Sequence, residues 1–255
     1  RDMFRGCTSL TTVPTFTATT VGQRSCESMF NGCTSLTSVS SLPATTLGEY
    51  CYISMFEGCT NLVTVPSTLP ATTLAEFCYY QMFKGCTGIT TSPTLPATTL
   101  ANYCYNNMFN GCTSLTTAPV LPATTLANYC YFYMFQGCTS LTTAPELPAT
   151  TLVNCCYQNM FNSCTSLNYI KCLATNDNLY AGFAFNWTHG VAETGTFVKA
   201  ASATSWPTGE NGIPVGWIVE DLDMSGDSDS ESEGTGYESE YLTFDVISGG
   251  NIVWY

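Results

Sequence analysis

The sequence repeats itself every 26 residues, and this period constrains the fold more than any other feature. A Met-Phe pair marks each unit, and successive pairs from Met3 to Met160 lie 26, 26, 27, 26, 26 and 26 residues apart. The added residue is Ser67 or Thr68, between two prolines. A unit this short cannot bury its own apolar face, so stacked units must share one continuous core. The period therefore predicts a solenoid.

Each unit contains two patterns. In "LANYCYNNMFNG" the apolar residues have the spacing of one helix face: Leu100, Tyr103, Cys104, Met108 and Phe109. Gly111 follows where a helix needs a residue that accepts positive φ, so it is interpreted as a C-terminal stop. The next stretch, "CTSLTTAP", carries β-branched threonine around an apolar leucine and predicts a short strand.

Two prolines bound the turn that follows. Pro119 and Pro122 have no N–H to donate, so the ladder between stacked strands is expected to end there. The predicted fold is an α/β solenoid, a right-handed coil with one short parallel strand and one short helix per 26-residue repeat. A C-terminal cap and a short β segment complete it.

Charge is scarce and unevenly placed. Charged residues are 10% of the chain, and ten of the 19 acidic residues lie between Glu220 and Asp245. The remainder of the chain is close to neutral and offers no basic surface for nucleic acid. No apolar run approaches the length of about 20 residues that a transmembrane helix needs.

The pattern "MFxGCTSLTxxPxLPATTL" resembles the leucine-rich repeats of BspA-like surface proteins of the Bacteroidales type. The Cys-x-x-Leu element, as in Cys112 and Leu115, is similar to the strand entry of that family. The resemblance covers Met3 to about Lys171. It implies a leucine-rich repeat fold and an adhesin-like role without a fixed ligand. The first residues, "RDMFRGCTSL", read as the second half of a unit, and the chain is interpreted as a fragment of a larger multi-module protein.

Four segments are expected. They are the repeat array at 1–172, a capping segment at 173–220, an acidic Ser/Gly-rich linker at 221–240, and the start of a further β-rich module at 241–255. The capping segment resembles the one that closes such arrays in the family, and its expected large apolar anchors are Trp187, Phe197, Trp206, Ile213 and Trp217. An open solenoid end needs such a cap for solubility.

The fifteen cysteines fall mainly into two columns, four residues before and four residues after each methionine. Stacked columns favour buried thiols that act as small apolar side chains. Disulfides within a unit, such as Cys104–Cys112, are an alternative, and zinc binding lacks a Cys-x2-Cys or histidine cluster. The total is odd, so at least one cysteine has no partner within the chain.

Little in the sequence indicates catalysis, and no enzymatic activity, cofactor or metal is expected. The single histidine, His189, has no evident nucleophile beside it and is interpreted as structural. The run that begins at Asp221 and Asp223 matches the first half of a calcium loop, but Ser232 stands where the closing glutamate belongs. A solvated linker is favoured there over a weak calcium site.

The candidate ligand-binding residues come from comparing the units with one another. Two columns after each Cys-Tyr pair change freely and are expected to be unpacked; they include three aromatic residues, Tyr80, Phe132 and Tyr133. The residue before each Leu-Pro pair also varies: Thr94, Val120 and Glu146. The strand-lined face is expected to show flat, uncharged rows of Thr116, Thr142, Thr117 and Thr143.

These features predict a non-enzymatic extracellular protein of the bacterial cell surface. It would act as an adhesion or ligand-binding scaffold for protein or glycan on a host or neighbouring cell. The alternative is a structural component of a fibre or filament built by stacking of repeats. Self-association through the uncapped N-terminal face is a further possible contact, and nucleic acid is not an expected partner.

Overall fold

The structure of the protein is a computed structural model that describes residues 1–175 and 182–223. The repeats stack as coils around one shared core, as the period predicts. One column shows the stacking directly: the rings of Phe30, Phe56, Phe83 and Phe109 lie nearly parallel, with successive centroids 5.6, 5.7 and 5.8 Å apart. The solenoid architecture is therefore confirmed, while its right-handed sense stays a prediction.

The segment predicted to be helical is instead a run of consecutive turns, and the described residues contain no helix. We call this segment of each coil the turn ribbon; it covers 102–111 in one coil and 128–137 in the next. Inside the first of these ribbons, Cys104, Asn106, Met108 and Asn110 each donate a backbone hydrogen bond to the carbonyl three residues earlier. An α-helix would use the carbonyl four residues earlier.

The remaining backbone N–H groups of the ribbon point to the next coil. Tyr103 donates to the carbonyl of Asn128, and Tyr105 donates to that of Cys130, at 3.1 Å in both cases. Alternate residues thus hydrogen-bond within the coil and between coils. From Tyr103 to Gly111 every backbone N–H is satisfied without a helix, as buried backbone requires.

A left-handed backbone recurs at every fourth residue of the ribbon. In one coil the φ angles are 59° at Tyr103, 57° at Asn107 and 72° at Gly111. Positive φ at the third residue of a turn is what type II turns require. A right-handed helix cannot contain such residues. Gly111 is consequently the last left-handed position of the ribbon and not a helix stop.

The helix prediction is wrong because the apolar pattern has a period of four. The core side chains of this ribbon are fully buried: Cys104, Tyr105, Met108, Phe109 and Cys112. A helix turns about 100° per residue, so side chains four residues apart differ by only about 40° in their direction around the helix axis. Over nine residues the two periods cannot be separated. The error misplaced two side chains, since Tyr105 is in the core and Tyr103 is half-buried at the surface.

The strands are shorter than predicted. Before residue 169 the repeats contain only β1 (Thr20–Val21) and β2 (Thr46–Leu47), paired in parallel, and single parallel bridges such as Thr91 with Thr117. Each predicted "CTSLTTAP" strand is therefore reduced to about one paired residue. The expected end of the ladder at the prolines is also wrong, because Thr68 pairs with Thr94 between two prolines and Thr73 pairs with Thr99 beyond them.

A regular sheet forms at the C-terminal end of the described chain. Its strands are β3 (Tyr169–Cys172), β4 (Thr196–Ala200) and β5 (Ile218–Leu222), all parallel and in the order β3-β4-β5. Tyr169 pairs with Thr196, and Thr196 pairs with Ile218. The sheet therefore extends the stacking of the coils.

The segment expected to cap the array also carries one more turn ribbon. Phe161 and Ser163 donate backbone hydrogen bonds to the carbonyls of Trp187 and His189, 2.9 and 2.7 Å away. The indole of Trp187 is fully buried and donates to the carbonyl of Gly212. The predicted anchors of this segment are confirmed: Trp187, Phe197, Ile213 and Trp217 are buried, and Trp206 packs against the core.

Candidate ligand-binding surface

The six residues predicted from the variable columns lie on two different segments of the coil. Tyr80, Phe132 and Tyr133 are half-buried in the turn ribbons. The second group, Thr94, Val120 and Glu146, is exposed in the segment bounded by prolines. Among the described residues, no hydrogen bond, ion pair or ring contact joins the two groups. The structure therefore does not assemble the six into a single site.

The variable columns are not uniformly unpacked. Three of their polar members are buried, namely Ser54, Asn106 and Asn159. The expectation that free variation marks unpacked positions is therefore wrong at these residues. The three aromatic candidates remain partly accessible.

The turn ribbons carry an aromatic ladder that sequence reasoning missed. It consists of Tyr50, Phe77, Tyr103 and Tyr129, whose rings are nearly parallel with successive centroids 4.7, 4.5 and 4.5 Å apart. All four side chains are half-buried. The guanidinium of Arg24 lies 4.2 Å above the Tyr50 ring and covers that end of the ladder. The recurrence of an aromatic residue just before four of the five Cys-Tyr pairs was the available signal.

Stacking decides which parts of these rings a ligand can reach. Each inner ring has both faces covered by its neighbours, so edges and hydroxyl groups are presented outward. The Tyr103 hydroxyl is hydrogen-bonded to that of Tyr129, and desolvation together with this neighbour raises the pKa of Tyr103. The ladder therefore presents to a ligand a row of apolar ring edges, together with the hydroxyl groups of its tyrosines.

The predicted aromatic candidates pack on this ladder. The ring of Tyr80 lies 5.7 Å from that of Phe77, and the ring of Phe132 lies 5.6 Å from that of Tyr129. Tyr133 meets Phe132 edge to face at 4.3 Å. One surface of seven half-buried rings therefore spans four coils. We call it the aromatic face.

In the turn ribbons up to residue 163, charged side chains occur only in the N-terminal coils, no later than Lys84. Glu57 pairs with Lys84 at 3.2 Å, and Arg24 pairs with Glu27 at 3.2 Å. The amide of Asn102 donates to Glu76 at 3.0 Å. From Gly85 to Pro145 the chain contains no acidic residue, no basic residue and no histidine.

The threonine rows appear where they were predicted. Thr116, Thr117, Thr142 and Thr143 are all exposed, which confirms the accessibility of this face. The hydroxyl of Thr116 donates to the carbonyl of Thr90 in the adjacent coil, at 3.1 Å. Backbone groups of neighbouring coils thus use part of the hydrogen-bonding capacity of these rows.

The added residue in the repeat opens a groove. Between the prolines of adjacent coils lies a recess of about 330 Å³, lined mainly by Ser40, Ser41, Pro43, Pro66, Ser67 and Thr68. It lies where the 27-residue interval meets the 26-residue one. It contains no titratable group.

The cysteines do not form a reactive or metal-binding site. All fifteen are free thiols, and thirteen of them are buried, including Cys104 and Cys112. Burial raises the pKa of Cys104 to about 12, so its thiol stays protonated at neutral pH. No group of three or more potential metal ligands occurs within 1–175 and 182–223.

The remaining candidate groups have structural partners. His189 lies 2.8 Å from Glu210 on an exposed part of the chain. Asp221, from the predicted calcium run, pairs with Lys199 across β4 and β5. From residue 224 onward that run, most of the predicted linker and the whole of the predicted β-rich module lie outside the described residues.

The family-model comparison matches the repeat itself. A model of the BspA type leucine rich repeat region matches residues 1–90 and 79–189, with six copies. The chain belongs to this family. The resemblance drawn from the Met-Phe and Cys-x-x-Leu pattern is thereby confirmed. No curated protein matches this BspA-type chain.

Family membership supports a coarse statement of role. BspA-type leucine-rich repeat proteins are repeat proteins with binding or scaffold roles, generally non-enzymatic and typically associated with the cell surface. Leucine-rich repeats of this kind suggest protein binding. In the parts of the chain that the structure describes, no helix is long and apolar enough to span a bilayer.

Proposed function

We propose that this BspA-type protein is a non-enzymatic, extracellular ligand-binding scaffold of the bacterial cell surface. It holds a protein or glycan of a host or neighbouring cell against its aromatic face. The aromatic ladder is the observation that carries the proposal. Aromatic side chains are favoured anchors in binding surfaces, and seven of them are partly accessible on one face.

Rigidity of the ladder supports this role. The backbone N–H of each ladder residue donates to a carbonyl of the next coil, and the rings are stacked at 4.5 to 4.7 Å. A ligand that binds to fixed side chains avoids the entropy cost of ordering them, which is about 0.5–1.5 kcal/mol per side chain. The face is preorganised for binding.

The state of the titratable groups in the described repeats supports a non-enzymatic role. Glu57, Glu146 and Lys171 are engaged in ion pairs, and the core thiols are protonated and inaccessible. General acid–base catalysis needs titratable groups that face a substrate.

Fibre assembly is the second candidate, favoured by the way in which like coils stack. Backbone N–H groups of one coil donate to carbonyls of the next, as Tyr103 does to Asn128 and Tyr105 does to Cys130. Copies of this chain would assemble into a fibre through contacts of the same kind.

The experiment measures adhesion of beads that carry the purified chain to epithelial and bacterial cells. Replacing Tyr80, Phe132 and Tyr133 together with serine should reduce adhesion at least about tenfold. The matched control replaces Thr116, Thr117 and Thr142 with alanine and should adhere like the wild type. The threonine variant should melt close to the wild type, because its changed side chains are exposed. The serine variant loses half-buried rings and should melt at a lower temperature, so adhesion is compared where all three proteins are folded.

Two results would contradict the proposal. One is no adhesion by the wild-type chain to any of the cells. The other is equal adhesion by the wild-type and serine variants. Concentration-dependent oligomers in light scattering, without adhesion, would instead support the fibre.

A further inference from the structure

The C-terminal part of the aromatic face has an unusual composition. In the three ribbons at 102–111, 128–137 and 154–163 the partly or fully exposed polar side chains are almost all amides: Asn102, Asn107, Asn110, Asn128, Gln136, Asn154, Gln158 and Asn162. Tyr103, Tyr129, Phe132 and Tyr133 lie among them. None of the three ribbons contains a charged residue. We call this surface the neutral patch.

Hydrogen bonds hold several of these amides in place. The amide nitrogen of Asn110 donates both to the Asn107 oxygen and to the Gln136 oxygen, each at 2.8 Å. The amide of Asn154 donates to the Tyr129 hydroxyl at 3.2 Å. The first of these contacts lies within one coil and the other two link neighbouring coils, so part of the patch is fixed before any ligand arrives.

Other amides are available to a ligand. Within the described residues, the side chains of Asn128 and Gln158 make no hydrogen bond to protein. Each amide offers two donors and an acceptor with two lone pairs. A suitable ligand must therefore present donors and acceptors together, closely spaced and without charge.

We infer that the neutral patch binds an uncharged, hydroxyl-rich glycan. This inference rests on the proposed function and names the class of its ligand. A sugar hydroxyl donates and accepts, as an amide does, so the two sets can pair throughout a contact. The C–H groups of sugar rings can pack on the apolar edges of Tyr103, Tyr129 and Phe132.

The neutral patch contains no charged residue, which disfavours ligands that carry charge: proteins, charged glycans and nucleic acids. A protein surface carries about 25–35% charged residues, and a stable interface takes about 20–30 residues from each side. A protein docked here would bury about five or more charges opposite a patch that holds none, and unpaired buried charge is costly. Sulfated glycans, sialylated glycans and nucleic acids meet the same obstacle. A neutral glycan does not.

Affinity electrophoresis in native gels provides the direct test. The probes are dextran, yeast mannan and arabinogalactan as largely neutral polysaccharides, with heparin and hyaluronan as charged ones. We expect at least one neutral polysaccharide to retard the wild-type chain. Its affinity, measured by calorimetry, should stay the same between about 50 mM and 500 mM NaCl, since no ion pair contributes.

A charged variant tests the location. Replacing Asn128 with Asp and Gln158 with Glu changes charge with little change of shape and should weaken binding at least about tenfold. The matched control, Thr116→Glu with Thr142→Glu, adds the same charge on the threonine face and should bind like the wild type. Equal binding by all three proteins would overturn the assignment to the neutral patch.

Cell adhesion separates this inference from the proposed function. Periodate, which cleaves sugar diols, should abolish the binding of target cells, and protease treatment of the cells should not abolish all of it. Adhesion that is lost to protease and insensitive to periodate would overturn the inference and leave the proposed function standing. Retardation only by heparin or hyaluronan would also overturn it. No adhesion at all would contradict the proposed function itself.

Discussion

The thiol of Cys112 donates a hydrogen bond to the carbonyl oxygen of Phe83, 3.1 Å away in the preceding coil. The same carbonyl accepts the backbone N–H of Cys86 within its own coil. Equivalent thiol contacts recur along the array at 3.0 to 3.1 Å, from Cys33 to Cys164. The cysteine column is therefore an inter-coil hydrogen-bond ladder as well as an apolar one, which explains why this residue type repeats.

Loss of one such contact should be measurable. Cys112→Ala removes a fully buried thiol and its bond, so we expect the free energy of unfolding to fall by about 1–3 kcal/mol. Urea denaturation under reducing conditions measures the change. Cys7→Ala is the matched control, because Cys7 holds the same place in the first coil but is exposed. A similar loss in both variants would show that burial and bonding of Cys112 contribute little.

Thiol accessibility gives a second prediction. Thirteen of the fifteen cysteines are buried, Cys155 is half-buried, and Cys7 is exposed. Iodoacetamide at neutral pH should therefore label Cys7, and Cys155 more slowly, in the native protein. In denaturant without reductant it should label all fifteen. Mass spectrometry counts the labels, and fewer than fifteen after denaturation would reveal disulfides that contradict the free-thiol core.

Alkaline pH should destabilise the protein. Burial raises the pKa of Cys104 and of Cys172 from 9.0 to about 12. A group whose pKa is raised by folding favours the folded state fully below the unfolded value, and this contribution is lost as pH climbs to the folded value. For each such thiol, the free energy of unfolding should therefore fall by about 1.4 kcal/mol per pH unit between about pH 9 and 12.

Denaturation midpoints at about pH 7, 9 and 10.5, with reductant present, check this expectation. The Cys104→Ala variant should show a shallower decline above pH 9 than the wild type. Buried tyrosines such as Tyr105 and Tyr157 add to the decline, because burial raises their pKa too. A midpoint that stays constant up to pH 10.5 would contradict the buried-thiol core.

The core columns were predictable from sequence because stacking depends only on the period. Leu115, Met108 and Cys112 recur at fixed intervals, and each is fully buried. The local backbone was not predictable in the same way. Nine residues of apolar spacing fit both a helix and a ribbon with a period of four, and left-handed φ at Tyr103 or Tyr129 leaves little trace in the residue type.

The candidate site was found only in part for the same reason. Tyr80, Phe132 and Tyr133 stood out because their columns vary between units. The residues of the aromatic ladder change little from unit to unit, so a search for variable columns does not find them. The helix prediction also placed Tyr103 on the buried apolar face. In this fold the turn ribbon repeats every four residues, and the exposure of a side chain depends on its position within that group of four. The grouping is recognisable only after the ribbon structure is known.

Disruption of the shared core should spread along the array. Leu115→Asp places an unpaired carboxylate among side chains that are fully buried. Because neighbouring coils share this core, we expect a loss of more than about 4 kcal/mol and cooperative melting of several coils. Thr117→Asp, two residues away on the exposed face, should melt like the wild type. Calorimetry compares them, and equal melting would place Leu115 outside the core.

Substitutions at Ser28 distinguish the turn ribbon from a helix. The two structures predict opposite orders of stability for the glycine and alanine variants. Its φ is 50°, and its side chain makes no hydrogen bond to the described protein. Glycine adopts positive φ without strain, whereas alanine pays about 1–2 kcal/mol there. In a helix the order reverses, because alanine is better than glycine by about 1 kcal/mol. We therefore expect Ser28→Gly to unfold at a higher urea concentration than Ser28→Ala. The opposite order of stability would support a helix at this position. It would contradict the turn ribbon on which the aromatic face depends.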